Sequence, residues 1–210
     1  MPQMTEQKEI KVSVVNYNGI ADISPIGTFV FCILCFAFWA ADIGLVGEGS
    51  TLAIGLLGLA VFIPYLICGI KLTDRGLCLG GNTYLLFGAV FGACGGLFNT
   101  FSPLFEHWGI PFDYSLVGIA FLLAGLYLIF MLPGVIKVTK VDFFIFLFGA
   151  MGVTGSGLSV LGIASPALNL FNGWSLFADG VVGFYAVIAT ILNSLGMNLP
   201  FGKPFVQPKQ

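Results

Sequence analysis

Charge is what this chain has least of. Asp, Glu, Lys and Arg make up 9% of its 210 residues, and there is one histidine, against about 25% charged residues in an ordinary soluble domain. Hydrophobic residues reach 58% and the mean hydropathy is +1.00. A soluble fold of this length has too little interior to hide so much apolar surface, so lipid has to solvate much of it. With a net charge of −2, no basic field points to nucleic acid. The lone histidine, His107 beside Trp108, cannot build a typical metal site. The chain has no G-x-x-x-x-G-K-[ST], H-E-x-x-H or G-x-S-x-G sequence, so the common machinery of ATP-driven pumps, zinc proteases and serine hydrolases is missing. The expectation is a protein that is not an enzyme, with no cofactor and no metal.

Cysteine is also sparse. The five are Cys32, Cys35, Cys68, Cys78 and Cys94, an odd number mostly inside apolar runs, which argues against a disulfide framework. Cys32 and Cys35 form a C-x-x-C, but Phe31, Ile33, Leu34 and Phe36 surround them. They read as small apolar residues one helical turn apart, since a thiolate in lipid is costly. Residues 1–24 hold Glu6, Lys8, Glu9, Lys11 and Asp22 and no apolar core, so they do not read as a secretory leader. That points to a bacterial or archaeal inner membrane.

Six apolar runs are long enough to span a bilayer at about 20 residues each. They cover residues 25–46, 50–72, 83–103, 114–136, 143–164 and 171–196. Continuous apolar runs without strict alternation imply helices rather than a barrel. All eight basic residues, Lys8, Lys11, Lys71, Arg75, Lys137, Lys140, Lys203 and Lys209, fall on one side of a six-span arrangement. Because Lys and Arg are retained in the cytoplasm, both ends are expected there. The fold class is therefore an all-α integral membrane bundle of six helices. A cytoplasmic polar tail (1–24) precedes the transmembrane domain (25–196), and a cytoplasmic C-terminal tail (197–210) follows it.

Breaker residues mark several spans. Pro25 opens the first, Pro64 should kink the second, and Pro133 lies near the end of the fourth. Gly88, Gly92 and Gly96 repeat G-x-x-x-G along one face of the third, which allows close helix contact without setting an oligomer number. Gly149, Gly152, Gly155 and Gly157 mark the fifth, and Gly180 and Gly183 the sixth. Polar residues at membrane depth carry the functional interest. Asp179 in the sixth span is expensive as a charge and should face a cavity, a partner or a proton. Asp42 reads as a mouth residue, and Asp142 as a favourable charge at the start of the fifth helix. Asn99 and Asn193 could bridge helices or line a path, with Thr28, Thr154, Ser156 and Thr190 as weaker candidates. No Lys or Arg lies centrally in any span, so a strong multivalent-anion site is not expected. Small solutes, or weak acids crossing with a proton, fit such a lining, and the abundant Phe permits a hydrophobic gate.

Three segments carry a resemblance. Ile23-Ser24-Pro25-Ile26-Gly27 heads the first span, with Pro25, Ile26 and Gly27 matching the P-L-G of an N-P-A-P-L-G signature. Gly81-Asn82-Thr83 matches a G-N-T that opens a third helix. Phe171-x-Gly173-Trp174 continues through Gly180, Tyr185, Leu192-Asn193, Gly196, Pro200 and Gly202. Together they resemble the acetate uptake transporter family, the YaaH-like succinate–acetate permeases, in a divergent form. The resemblance implies a homo-hexamer of six-helix protomers, each with one path for acetate and related small carboxylates, succinate in some members, coupled to protons. It implies a hydrophobic constriction from the first, third and fifth helices, which falls on Phe31, on Phe91 after a one-residue gap, and on about Leu147 to Gly149. Asn82 and Thr83 would then stand by the path. Two departures bear on substrate and coupling: Thr190 stands where the family carries a Glu, and Asp179 replaces a small residue. The absence of basic pore residues also fits a second reading, a channel for a small neutral solute such as urea, a short amide or ammonia.

Overall fold

Only structures that satisfy their own backbone hydrogen bonds can cross lipid, and the apolar runs do so as helices. The computed structural model describes residues 21–47 and 49–207, and among these six helices are long and apolar enough to cross a membrane. They are α1 (Ser24–Asp42), α2 (Ser50–Asp74), α3 (Cys78–His107), α4 (Ser115–Val135), α5 (Lys140–Val160) and α6 (Pro166–Ser194). Even α1, with 19 residues, is about 28 Å long, close to the roughly 30 Å of a hydrocarbon core. Residues 1–20 and Lys209 lie outside the described residues.

Local sequence sets the helix starts. Pro25 occupies the first turn of α1, where its missing N–H costs nothing. Thr139 caps α5: its Oγ1 accepts from the Asp142 backbone N–H at 3.1 Å and donates to Asp142 Oδ2 at 2.6 Å. Ser165 caps α6, accepting from Leu168 N–H at 3.3 Å, with Pro166 next in the chain. Gly49 precedes α2 at φ 83°, a left-handed conformation that suits glycine. Pro64 lies inside α2, which continues as one helix to Asp74.

The helices touch in chain order, and α6 closes the ring against α1. Glycine makes the close approaches possible. A Cβ on Gly96 would lie 2.8 Å from the Leu59 backbone nitrogen, and one on Gly92 would lie 2.9 Å from Phe62 Cα. The G-x-x-x-G repeat of α3 is therefore spent on α2 within the ring. Gly118 and Gly157 set α4 against α5, and Gly152 and Gly155 set α5 against α6. Residues Gly88–Cys94 of α3 are π-helical, a wider turn often associated with functional sites. Inside the ring lies an apolar core that includes Phe31, Leu34, Tyr65, Phe87, Phe91, Phe121 and Leu176. Large apolar side chains such as Leu56, Ile63, Leu116, Leu123 and Phe130 are exposed, as lipid-facing residues should be.

The even number of spans brings the start of α1 and the end of α6 to one end of the ring, called here the terminal end. The described basic residues Lys71, Arg75, Lys137, Lys140 and Lys203 follow or flank the spans at that same end. The chain after α6 is tied across it. Asn193 Nδ2 donates to Leu199 O at 3.0 Å, and Leu199 N–H donates to Asn193 Oδ1 at 2.7 Å. Tyr185 Oη donates to Pro200 O at 2.7 Å, and Val141 N–H donates to Phe201 O at 3.1 Å.

Candidate functional site

A cavity of about 320 Å³ enters the ring from the terminal end. Its mouth is formed by Asp22, Ser24 and Pro25 from the head of α1, Leu77 and Leu79 from the start of α3, Val138 from the α4–α5 turn, and Phe201 from the C-terminal segment. Deeper, the wall carries Thr28, Thr83, Tyr84, Asp142 and Thr190 among apolar side chains. Short hydrogen bonds fix most of these polar groups. The Thr28 and Tyr84 hydroxyls are hydrogen-bonded at 2.5 Å, joining α1 to α3. The Thr83 and Tyr127 hydroxyls lie 3.1 Å apart, joining α3 to α4. Thr190 Oγ1 donates back to Ala186 O at 2.8 Å. The charged groups in the lining are two carboxylates, Asp22 and Asp142, with no Lys or Arg among them.

The cavity ends at Phe31 and Phe87. These two rings stack with centroids 5.8 Å apart. Beyond them is a space of only about 20 Å³, lined also by Leu34, Cys35, Tyr65, Phe91, Val153 and Leu176, room for a single water-sized sphere. Phe31 and Phe87 are the residues common to the walls of both spaces, so this pair is the partition. Phe91 continues it edge-on to Phe87 at 5.3 Å and packs on Phe121 at 4.7 Å. Ser156 also lines the small space and leads to a polar cluster toward the other end of the ring. There Asn172 Nδ2 donates to Asp42 Oδ2 at 2.8 Å and to Ser156 Oγ at 3.3 Å.

The residues singled out from the sequence divide. Phe31 and Phe91 both lie at the constriction, but Phe87 stands between them. Thr83 and Thr190 are in the cavity wall, and so is Pro25 of the signature. Gly27 is buried, and a Cβ there would lie 2.7 Å from Cys68 Sγ and 2.8 Å from the Tyr84 ring. It lets α1 close on α2 and α3, while Ile26 points outward at 45% exposure. Leu147 lines neither space; on α5 that part belongs to Ile145, Phe146 and Gly149 in the large cavity and to Val153 in the small one. Asn82 is exposed and its amide donates to Cys78 O at 2.8 Å, one turn back on its own helix. Asn99 is buried, donates to Gly95 O at 2.9 Å, and lines neither space. Asn193 holds the C-terminal segment. Asp179 is 0% exposed and lies behind the wall, outside both linings.

Phe87, Tyr84 and Tyr65 are the residues sequence reasoning missed. Thr83, Phe87 and Phe91 recur every four positions on α3, which was the available signal. Asp142 was read as a helix-start charge, and it is one; the cavity wall is its second setting.

The chain is thus a multi-pass helical membrane protein, six helices closed into a ring around a blind cavity with an aromatic partition. No family model matches the sequence, and no curated protein matches it. Among solved structures, that of the bacterial acetate channel SatP is similar, with a TM-score of 0.73 and 20% identity over 87% of this chain and 99% of that one. At this identity the likeness is one of fold.

Proposed function

We propose that this protein is a membrane channel or transporter for acetate and related small carboxylates. The observation that carries the reading is the path itself, a cavity sized for a small solute and closed by the Phe31–Phe87 pair, in a fold similar to that of an acetate channel. Thr28, Tyr84, Thr83 and Thr190 offer hydroxyls to a carboxyl group at the cavity wall. Phe31, Phe87 and Phe91 exclude water and force the solute to shed its hydration. Coupling to protons, passage of succinate, assembly as a homo-hexamer, residence in the inner membrane and cytoplasmic termini belong to the same reading. A positive-inside arrangement supports the last of these.

The acidic lining favours a second reading. Among the described residues, two carboxylates and no cation face the cavity, a setting that repels anions and admits neutral molecules such as urea, short amides or ammonia. Labelled acetate uptake into proteoliposomes, with and without an inward proton gradient and competed by formate, propionate, succinate and urea, decides between them. Saturable uptake competed by monocarboxylates supports the first reading, and gradient dependence favours a coupled carrier over a channel. No acetate uptake, with urea or ammonia passing, replaces it with the second.

A further inference from the structure

Packing does not explain the placement of Asp179. It lies near the middle of α6, 0% exposed, and no protein donor among the described residues reaches either carboxyl oxygen. A carboxylate buried without a hydrogen bond or counter-charge is among the most costly groups a membrane helix can carry. An alanine would serve simple packing better.

Its neighbours belong to the walls of the path. Gly149 of α5 lines the large cavity, and a Cβ on Gly149 would lie 2.8 Å from Asp179 Oδ2. The carboxyl thus occupies the space that any larger residue at 149 would need, and only a glycine of the cavity wall covers it on that side. On α1, Cys35 lines the small space beyond the partition. Cys32 and Cys35 pack on α6 around it: a Cβ on Gly183 would lie 2.9 Å from Cys32 Sγ, and one on Gly180 would lie 3.3 Å from Cys35 Cβ. α5 presents Gly149, and among the described residues no Lys or Arg lies in the middle of any span. Asp179 therefore stands beside the aromatic partition and close to both spaces it separates.

We propose that Asp179 is a proton-binding site beside the partition, holding a proton in this closed arrangement and exchanging it with the path as solute passes. The step is a simple one: a proton leaves the carboxylic acid to water in the path, leaving a carboxylate, and a proton from the other side restores the acid. The ionised form is tolerable only when the wall at Gly149 or Cys35 admits water, so loss of the proton and opening of the wall favour each other. The coupling to solute rests on the carboxylate-transport reading; the bound proton does not.

The test uses full-length wild type and D179N, two side chains of nearly equal shape. Infrared difference spectra across a pH titration in detergent should show a protonated-carboxyl band in wild type that D179N lacks. In proteoliposomes containing a trapped pH dye, the ratio of protons to acetate taken up should fall at least tenfold in D179N. If D179N does not fold, G149A stands in. Its new methyl forces Oδ2 to move and should shift the same infrared band. Identical carboxyl bands in wild type and D179N overturn the site. An unchanged proton-to-acetate ratio in D179N, protons then crossing on the acid itself, overturns the coupling. Wild type that takes up no acetate defeats the transport reading and the coupling with it, while the infrared band still decides whether Asp179 binds a proton.

Discussion

Phe87→Ala should open the path at its narrowest point. Phe87 is 5% exposed and packs on Phe31, Phe91 and Tyr65 with ring centroids at 5.8, 5.3 and 6.5 Å. Truncation removes one of the two rings that separate the large cavity from the small space and merges them. Two consequences oppose each other in an assay. Losing a buried phenyl from a packed core costs about 3–5 kcal/mol of stability, so the variant should unfold at a lower temperature in detergent. Yet a polar solute held dry at the partition forfeits hydrogen bonds at roughly 2–7 kcal/mol per group. If water entering the widened slot returns about 2 kcal/mol of that, the crossing rate rises about thirtyfold. Initial rates of labelled acetate and urea flux in proteoliposomes, corrected for folded protein by size-exclusion recovery, measure it. Phe87→Leu should give a smaller gain, because a branched side chain still fills part of the slot. Folded F87A with wild-type flux for both solutes would refute the assignment of Phe31–Phe87 as the partition and move the barrier elsewhere along the ring.

Four further substitutions test the frame that holds the site. Gly96→Val places a Cβ 2.8 Å from the Leu59 backbone nitrogen, which no rotamer change relieves; overpacking of this kind costs about 1–3 kcal/mol or more. It should lower the unfolding temperature, whereas Gly134→Ala, with nothing within 4 Å of its Cβ position, should leave it unchanged or raise it slightly. Asn193→Ala removes both hydrogen bonds to Leu199, about 2 kcal/mol at roughly 1 kcal/mol each, and faster amide exchange in residues 197–207 should report the loosened segment. Thr139→Ala removes the α5 cap, worth about 1 kcal/mol, and frees the Asp142 side chain at the cavity wall. Both thermal unfolding and solute flux should change, while a change in unfolding alone would show that the Asp142 orientation does not matter to the path.

The span count and order were legible because lipid imposes a strong pattern: a crossing helix needs an unbroken apolar run, and the basic residues sort to alternate loops. The ends of α3 were not. Read as 83–103, it runs from Cys78 to His107, since Gly80, Gly81 and Asn82 look like a loop yet stay helical when packed on α2. Asn82, placed on the path by its motif, is exposed, lines neither space and donates its amide to Cys78 O. Phe87 was hidden among 22 phenylalanines, just before the π-helical turns at Gly88–Cys94. A π turn takes up one more residue than an α turn. Hydrophobic periodicity read at 3.6 residues per turn does not reveal such a turn. On α5 the expected range Leu147 to Gly149 divides: adjacent positions turn about 100° around the helix, so Gly149 meets the large cavity, with Phe146, while Leu147 lines neither space.

On the carboxylate-transport reading, the charge of the lining bears on which form of a weak acid crosses. Among the described residues, Asp22 and Asp142 are the charged groups of the lining, and the deeper wall offers hydroxyls that can donate to or accept from a neutral carboxyl group. An anion approaching two carboxylates is repelled, whereas the protonated acid is not, and it also crosses the aromatic partition at far lower desolvation cost. A carboxyl group with a pKa of about 4 is neutral in only about one molecule per thousand at pH 7. If the neutral acid is the species that crosses, unidirectional acetate flux should rise about tenfold for each unit the pH falls between about 8 and 6, because the neutral fraction does. Urea flux should stay flat over the same range. If the anion crosses, acetate flux is nearly flat in pH. Asp142→Asn together with Asp22→Asn should then raise it by removing the repulsion, and should leave urea untouched. A flat acetate profile that those substitutions do not change would show that the two carboxylates do not filter the solute, and selection would then rest on the aromatic partition alone.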